Sequence, residues 1–199
     1  MPDVRPRAIG NAEWMTRFCS VTAPALMFVY GVLRWVDGRD GQRKDDAAWD
    51  VGHIAFFIAI ALFAVLAFQL RRLVHREWPT RGVTADLATV ATVIGAGCFL
   101  WVIAGDLSTS FADAAPLPDI LQALGPMLFQ VGLLVLLVLL LVGRRIPWWS
   151  PLLVVLGFAA VAVSLDLLTV SAILVGAGLT PLARPGFARH AEPAGRRVP

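Results

Sequence analysis

The chain has 199 residues, of which 58% are hydrophobic and only 16% charged, with a mean hydropathy of +0.73. An average soluble domain is about 45–50% apolar and about 25% charged, so this composition excludes an ordinary water-soluble fold and points to a membrane. The net charge of +3 does not imply nucleic acid, because the arginines gather at the edges of apolar runs rather than along one basic face.

Apolar runs of about 20 residues are long enough to cross a hydrocarbon core of about 30 Å. In chain order the sequence predicts five such spans, at 18–36, 51–70, 84–104, 120–142 and 152–179. The expected architecture is all-α: an integral membrane bundle of five transmembrane helices over residues 17–180. A polar N-terminal segment (1–16) precedes it, and a disordered C-terminal tail (181–199) rich in Pro, Gly and Arg follows. The first span is the most polar, with Ser20, Thr22, Pro24 and Arg34; the fifth is long and must tilt or run past the lipid. No cleavable leader is expected, since the first apolar run lies behind a long polar stretch and no small-residue cleavage site follows it.

Tryptophan supplies an independent check, because its half-apolar ring and N–H favour the membrane–water boundary. Trp14, Trp78, Trp148 and Trp149 fall at one side of the five-span arrangement, and Trp35, Trp49 and Trp101 at the other. Cation counts by side are nearly even. The pairs Arg71–Arg72 and Arg144–Arg145 nevertheless abut span ends, where charge weighs most in setting orientation. That placement favours a cytoplasmic N-terminus and an outside C-terminus.

The connecting segments are short. Residues 37–50, DGRDGQRKDDAAWD, carry both charge signs and read as a solvated connector, with an Asp cluster that could at most hold a divalent cation weakly. Cys19 and Cys98 are isolated within spans, a pattern that fits small packing residues better than a disulfide or a zinc site. The GAG at 95–97 and the spacing Ala91-x-x-x-Gly95 read as close helix packing.

Two polar groupings stand out. Lipid satisfies no polar group, so ionisable residues inside spans face other helices or a wet cavity. Asp166 and Gln130 each fall near the middle of a predicted span, and Thr169 follows Asp166 by three residues on the same helical face. If spans four and five are antiparallel neighbours, Asp166 and Gln130 share a depth. The pair then either ties two helices together or forms a proton or ligand site. At the outer ends, Arg34, His53 and Asp106 share a depth and form either a polar vestibule or an ordinary interfacial network. The histidines are too scattered for paired haem ligation, and there is no paired-His metalloprotease helix, phosphate-cradling loop or nucleophile elbow. No metal and no cofactor are expected. The expected partners are the lipid bilayer and either a homo-oligomer or a larger membrane complex, with no nucleic acid.

WDVGH before the second span, Gly125–Pro126 in the fourth and RRIPWWSP before the fifth resemble a loose group of small multi-span membrane proteins of high-GC bacteria. The resemblance covers the layout of all five spans. It implies a compact helical bundle and lends neither an activity nor catalytic residues. A non-catalytic structural or accessory membrane component is therefore expected; the alternatives are a small transporter-like or ligand-binding protein that uses Asp166 and Gln130, and a membrane-embedded enzyme.

Overall fold

The computed structural model describes residues 5–38 and 47–187. Among them are α1 (Arg5–Asp37), α2 (Ala47–Glu77), α3 (Gly82–Leu107), a short α4 (Thr109–Ala114), α5 (Asp119–Val142), α6 (Trp149–Val163) and α7 (Leu168–Leu179). Five helical stretches are long and apolar enough to cross a membrane: Ala12–Asp37, Ala47–Glu77, Pro79–Leu107, Asp119–Val142 and Leu165–Ala183. The chain is an all-α bundle of membrane-spanning character. Its helices form a ring in which α1 packs on α2, α2 on α3, α3 on α5, α5 on α6 and α6 on α7, and α7 returns to α1.

Proline and glycine mark most of the breaks. Pro79 opens a single 3-10 turn between α2 and α3, where the missing N–H costs nothing. Pro118 precedes the first residue of α5, and Gly143 follows its last. Pro24 and Pro126 lie inside helices that continue through them, as membrane bundles tolerate when neighbouring groups satisfy the freed carbonyl.

The α3–α5 seam is the closest contact in the ring. A Cβ placed on Gly95 would overlap the backbone of Gly125 and Phe129, and one on Gly132 would overlap the backbone of Ala88 and Thr92. Glycine at these positions lets two backbones approach, which is how helices associate when lipid is as apolar as their side chains. Gly95 has the packing role expected of it, whereas a Cβ on Gly97 would meet nothing within 4 Å.

The last apolar run differs from its expectation. Residues 152–179 are not one long span but a helical hairpin. Ser164 adopts an extended conformation (φ −158°, ψ 136°) that stops α6. Its Oγ accepts from the Asp166 backbone N–H at 3.2 Å, and a 3-10 turn over Leu165–Leu167 starts the return. α7 then runs back along α6: Ser150 Oγ donates to the Gly178 carbonyl, and Gly157 faces Val175 and the Ser171 carbonyl. The turn is cut by a serine N-cap, a local hydrogen bond that hydropathy cannot register. α6 has 15 residues, about 22 Å of helix, so the hairpin is shorter than the helices around it. Near its tip Thr169 lies against Gly31, six residues, or about 9 Å, before the end of α1.

The hairpin brings the chain back to the end where α1 begins. Arg17 Nε donates to the Ala183 carbonyl at 3.0 Å, Glu13 accepts from the Gly186 N–H, and Arg145 donates to the Phe187 carbonyl. The sequence reading put residues 181–187 in a disordered tail on the far side from the N-terminus. They are packed instead, with Leu182 fully buried and Phe187 9% exposed. The rest of the expected tail, 188–199, and the loop core 39–46 lie outside the described residues.

Candidate functional site

At the end away from residues 13–17, three helices meet around His53, which is 2% exposed. One turn into α2, its Nδ1 lies 2.8 Å from the Trp49 carbonyl. A carbonyl only accepts, so Nδ1 carries the hydrogen, and Nε2 of the neutral ring is the acceptor. Tyr30 Oη of α1 lies 3.3 Å from that Nε2, and the Asp106 carboxylate of α3 lies 3.8 Å from it. The Trp49 ring packs on His53 with centroids 3.9 Å apart, and Trp49 Nε1 donates to the Asp106 carbonyl at 3.3 Å. Tyr30 is stacked on Phe56 at 4.6 Å. His53 is thus aimed between α1 and α3, as its shared depth with Arg34 and Asp106 suggested.

Arg34 takes another course. Among the described residues it makes no ion pair with Asp106, and its Nε is buried without a hydrogen bond. Asp37, one turn further along α1, is 2% exposed, and among the described residues neither carboxylate oxygen has a hydrogen-bond partner. Sequence reasoning missed Tyr30 and Trp49 as members of this group. Tyr30 is the only tyrosine in the chain, and its place one turn before Arg34 was the available signal. Trp49 was read as an interfacial anchor, but it is 7% exposed and packs inward, unlike Trp14, Trp35 and Trp148, which are 59%, 61% and 67% exposed.

Asp106 also lines a cavity of about 370 Å³ under α4. Ser108 caps α4 by accepting from the Phe111 N–H at 3.3 Å. Trp101 Nε1 donates to the Ala115 carbonyl at 2.9 Å, and Gln122 Nε2 to the Leu117 carbonyl at 2.9 Å. These bonds fold residues 108–118 over the end of α3. The Trp101 and Phe111 rings form one wall, with centroids 5.2 Å apart and planes inclined at 54°. Among the described residues the only ionisable side chains lining the cavity are Asp106 and Asp113.

The intramembrane group expected around Asp166 is rearranged. Gln130 lines a central cavity of about 80 Å³ with Tyr30, Phe56, Phe129 and Leu165. Leu165, not Asp166, is the hairpin-tip residue that reaches this cavity. Asp166 is exposed in the first turn after Ser164, where the positive end of a helix favours a carboxylate. Thr169 is half-buried and faces α1 through Gly31. The opening of a new helix accounts for an aspartate within this apolar run.

The arginine-rich end holds a second polar network. Asp86 of α3 pairs with Arg71 and with His75 Nε2 at 2.7 Å. Glu77 and Arg145 lie 3.3 Å apart, and the Arg81 guanidinium sits 5.5 Å from the Trp78 ring. This network ties α2, α3 and the 143–148 turn together. Among the described residues no three His, Cys, Asp or Glu side chains converge as a metal site. In comparisons with known proteins the chain matches no family model, no curated protein and no solved structure.

Proposed function

We propose that the chain is a non-catalytic component of the cell membrane, a compact multi-pass scaffold held with its arginine-rich end in the cytoplasm. The observation that carries this reading is the closed interior. Phe63, Phe129, Leu66 and Leu133 fill the centre at 2% exposure or less, and glycine contacts seal the α3–α5 seam. The central cavity, about 80 Å³, is smaller than the roughly 150 Å³ apolar cavity that admits a benzene ring. Ionisable side chains gather at the two ends, where hydrogen bonds and ion pairs engage several of them. A solute path built on Asp166 and Gln130 finds no support in this arrangement.

Charge and the hairpin together support this orientation. Since the described chain returns at residues 183–187 to the end where α1 starts, Arg184 counts with that end. Among the described residues ten of the eleven Lys and Arg then belong to segments at the arginine-rich end, against Arg34 at the other. Such a bias favours the cytoplasm for the richer end. The test of the scaffold reading is flux: purified chain in liposomes carrying a proton or alkali-cation gradient should leak no faster than protein-free vesicles. Protein-dependent flux that saturates with ion concentration would overturn it in favour of a transporter.

A further inference from the structure

We propose that the cavity beneath α4 binds an alkylammonium group, supplied either by a small free organic cation or by a lipid headgroup. The argument begins with size. At about 370 Å³ the cavity lies within the roughly 300–1,000 Å³ range of small-molecule pockets and suits a group of a few carbons around one nitrogen. Its wall chemistry then selects the charge. Trp101 and Phe111 present two inclined rings 5.2 Å apart, and aromatic faces attract a cation through their quadrupole; this is how quaternary ammonium groups are recognised. Asp106 and Asp113 add negative charge from the same cavity, and among the described residues no Lys, Arg or His lines it to cancel that charge. Among the described residues an anion would meet two carboxylates with no donor side chain but Thr109 and Gln122, and Gln122 already donates to Leu117. A bare divalent ion would lack ligands there, since among the described residues no third carboxylate or imidazole joins the two.

The enclosure is built rather than incidental. Trp101 is fixed by its bond to Ala115, and α4 is set by its Ser108 cap. Asp106 is held from behind, with its carbonyl bonded to Trp49 and its carboxylate 3.8 Å from His53. Exposed Trp101 and Trp35 occupy the same end of the bundle, at the level where aromatic belts meet lipid headgroups. The site therefore lies where both sources of ammonium are present.

The test uses the full chain, purified in a maltoside and moved into nanodiscs of phosphatidylglycerol. Isothermal titration with tetramethylammonium and with choline should show saturable binding. The neutral isostere 3,3-dimethylbutan-1-ol should bind at least about tenfold more weakly, since it lacks the charge both rings and carboxylates select. Phe111→Leu should weaken choline by about three- to thirtyfold, and Asp113→Asn should weaken it too, with thermal unfolding of both variants near that of the parent chain. Asp106 is left intact because its carboxylate also approaches His53. Adding phosphatidylcholine to the nanodisc separates the sources: a titration shifted to higher choline concentration assigns the headgroup, and an unshifted one assigns the free cation. Absence of saturable binding to the folded chain, equal binding of the neutral isostere, or indifference to both substitutions would each overturn the proposal.

Discussion

Tyr30 Oη and His53 Nε2 stand 3.3 Å apart at the junction of α1 and α2. The contact joins two regions of the protein, because the Tyr30 ring lines the central apolar cavity while its hydroxyl turns toward the polar end. His53 in turn reaches Trp49 and Asp106, so one imidazole links α1, α2 and α3. In lipid no water relieves a buried donor or acceptor, and this short relay satisfies the ring nitrogens from protein alone.

Tyr30→Phe keeps the stack on Phe56 and removes only the hydroxyl. The expected loss is about 0.6 kcal/mol and no more than about 1.7 kcal/mol, the range for hydrogen bonds inside membrane bundles. His53→Phe should cost more, since it also removes the bond to Trp49. A double-mutant cycle of the two substitutions, read by denaturant unfolding in micelles, gives the pair energy. A coupling indistinguishable from zero would mean that the hydroxyl and the ring do not interact.

The glycine seam makes a paired prediction. Gly95→Leu forces a side chain into the backbone of Gly125 and Phe129, and α3 and α5 must separate or the chain must fail to fold. Gly97→Ala, two residues away, meets nothing within 4 Å and should be neutral, or stabilising by up to about 1 kcal/mol through helix propensity. Thermal unfolding of the purified variants checks both. Equal behaviour of the two substitutions would show that the α3–α5 contact is not closed at Gly95.

The spans between punctuation marks were legible because length and hydropathy are what lipid selects. The turn at Ser164 was not, because SLD lies within an uninterrupted apolar run and its signal is one serine oxygen accepting one backbone N–H. Missing it merged α6 and α7, placed Asp166 at mid-span and sent residues 181–187 to the end of the bundle away from Glu13 and Arg17. At the polar end, His53 and Asp106 could be paired by depth alone. Tyr30 and Trp49 could not, since an aromatic residue near a span end looks the same whether it faces lipid or the interior. The Asp86 network was hidden for a related reason: Arg71 was read as a charge abutting a span end at residue 70, whereas α2 continues through it and His75 to Glu77.

The hairpin tip can be tested at its cap. Ser164→Ala removes the oxygen that accepts from the Asp166 N–H and should cost about 0.5–2 kcal/mol, as N-cap losses do. Asp166→Asn keeps a good N-terminal residue and gives up the charge interaction with the helix end, about 0.3–1 kcal/mol. A cycle of Asp166→Asn with Gln130→Leu should show no coupling, because Leu165 rather than Asp166 reaches the cavity that Gln130 lines. Coupling above about 0.5 kcal/mol, beyond the scatter of independent sites, would restore the mid-span pair.

Topology offers the most decisive check. The two native thiols, Cys19 and Cys98, are 0% and 8% exposed, so they leave a quiet background for labelling introduced cysteines. Trp148 is exposed at the arginine-rich end, and Asp113 is exposed at the other. In intact cells a membrane-impermeant maleimide should modify Asp113→Cys at once and Trp148→Cys only after the membrane is opened. A reporter active only in the cytoplasm, fused after Pro199 of the full chain, should give signal, because the described chain returns at residues 183–187 to the end that holds Glu13 and Arg17. Labelling of Trp148→Cys in intact cells would reverse the orientation while keeping the fold. A silent reporter together with a protected Trp148→Cys would instead place the two segments on opposite sides of the membrane, and that result would break the hairpin itself.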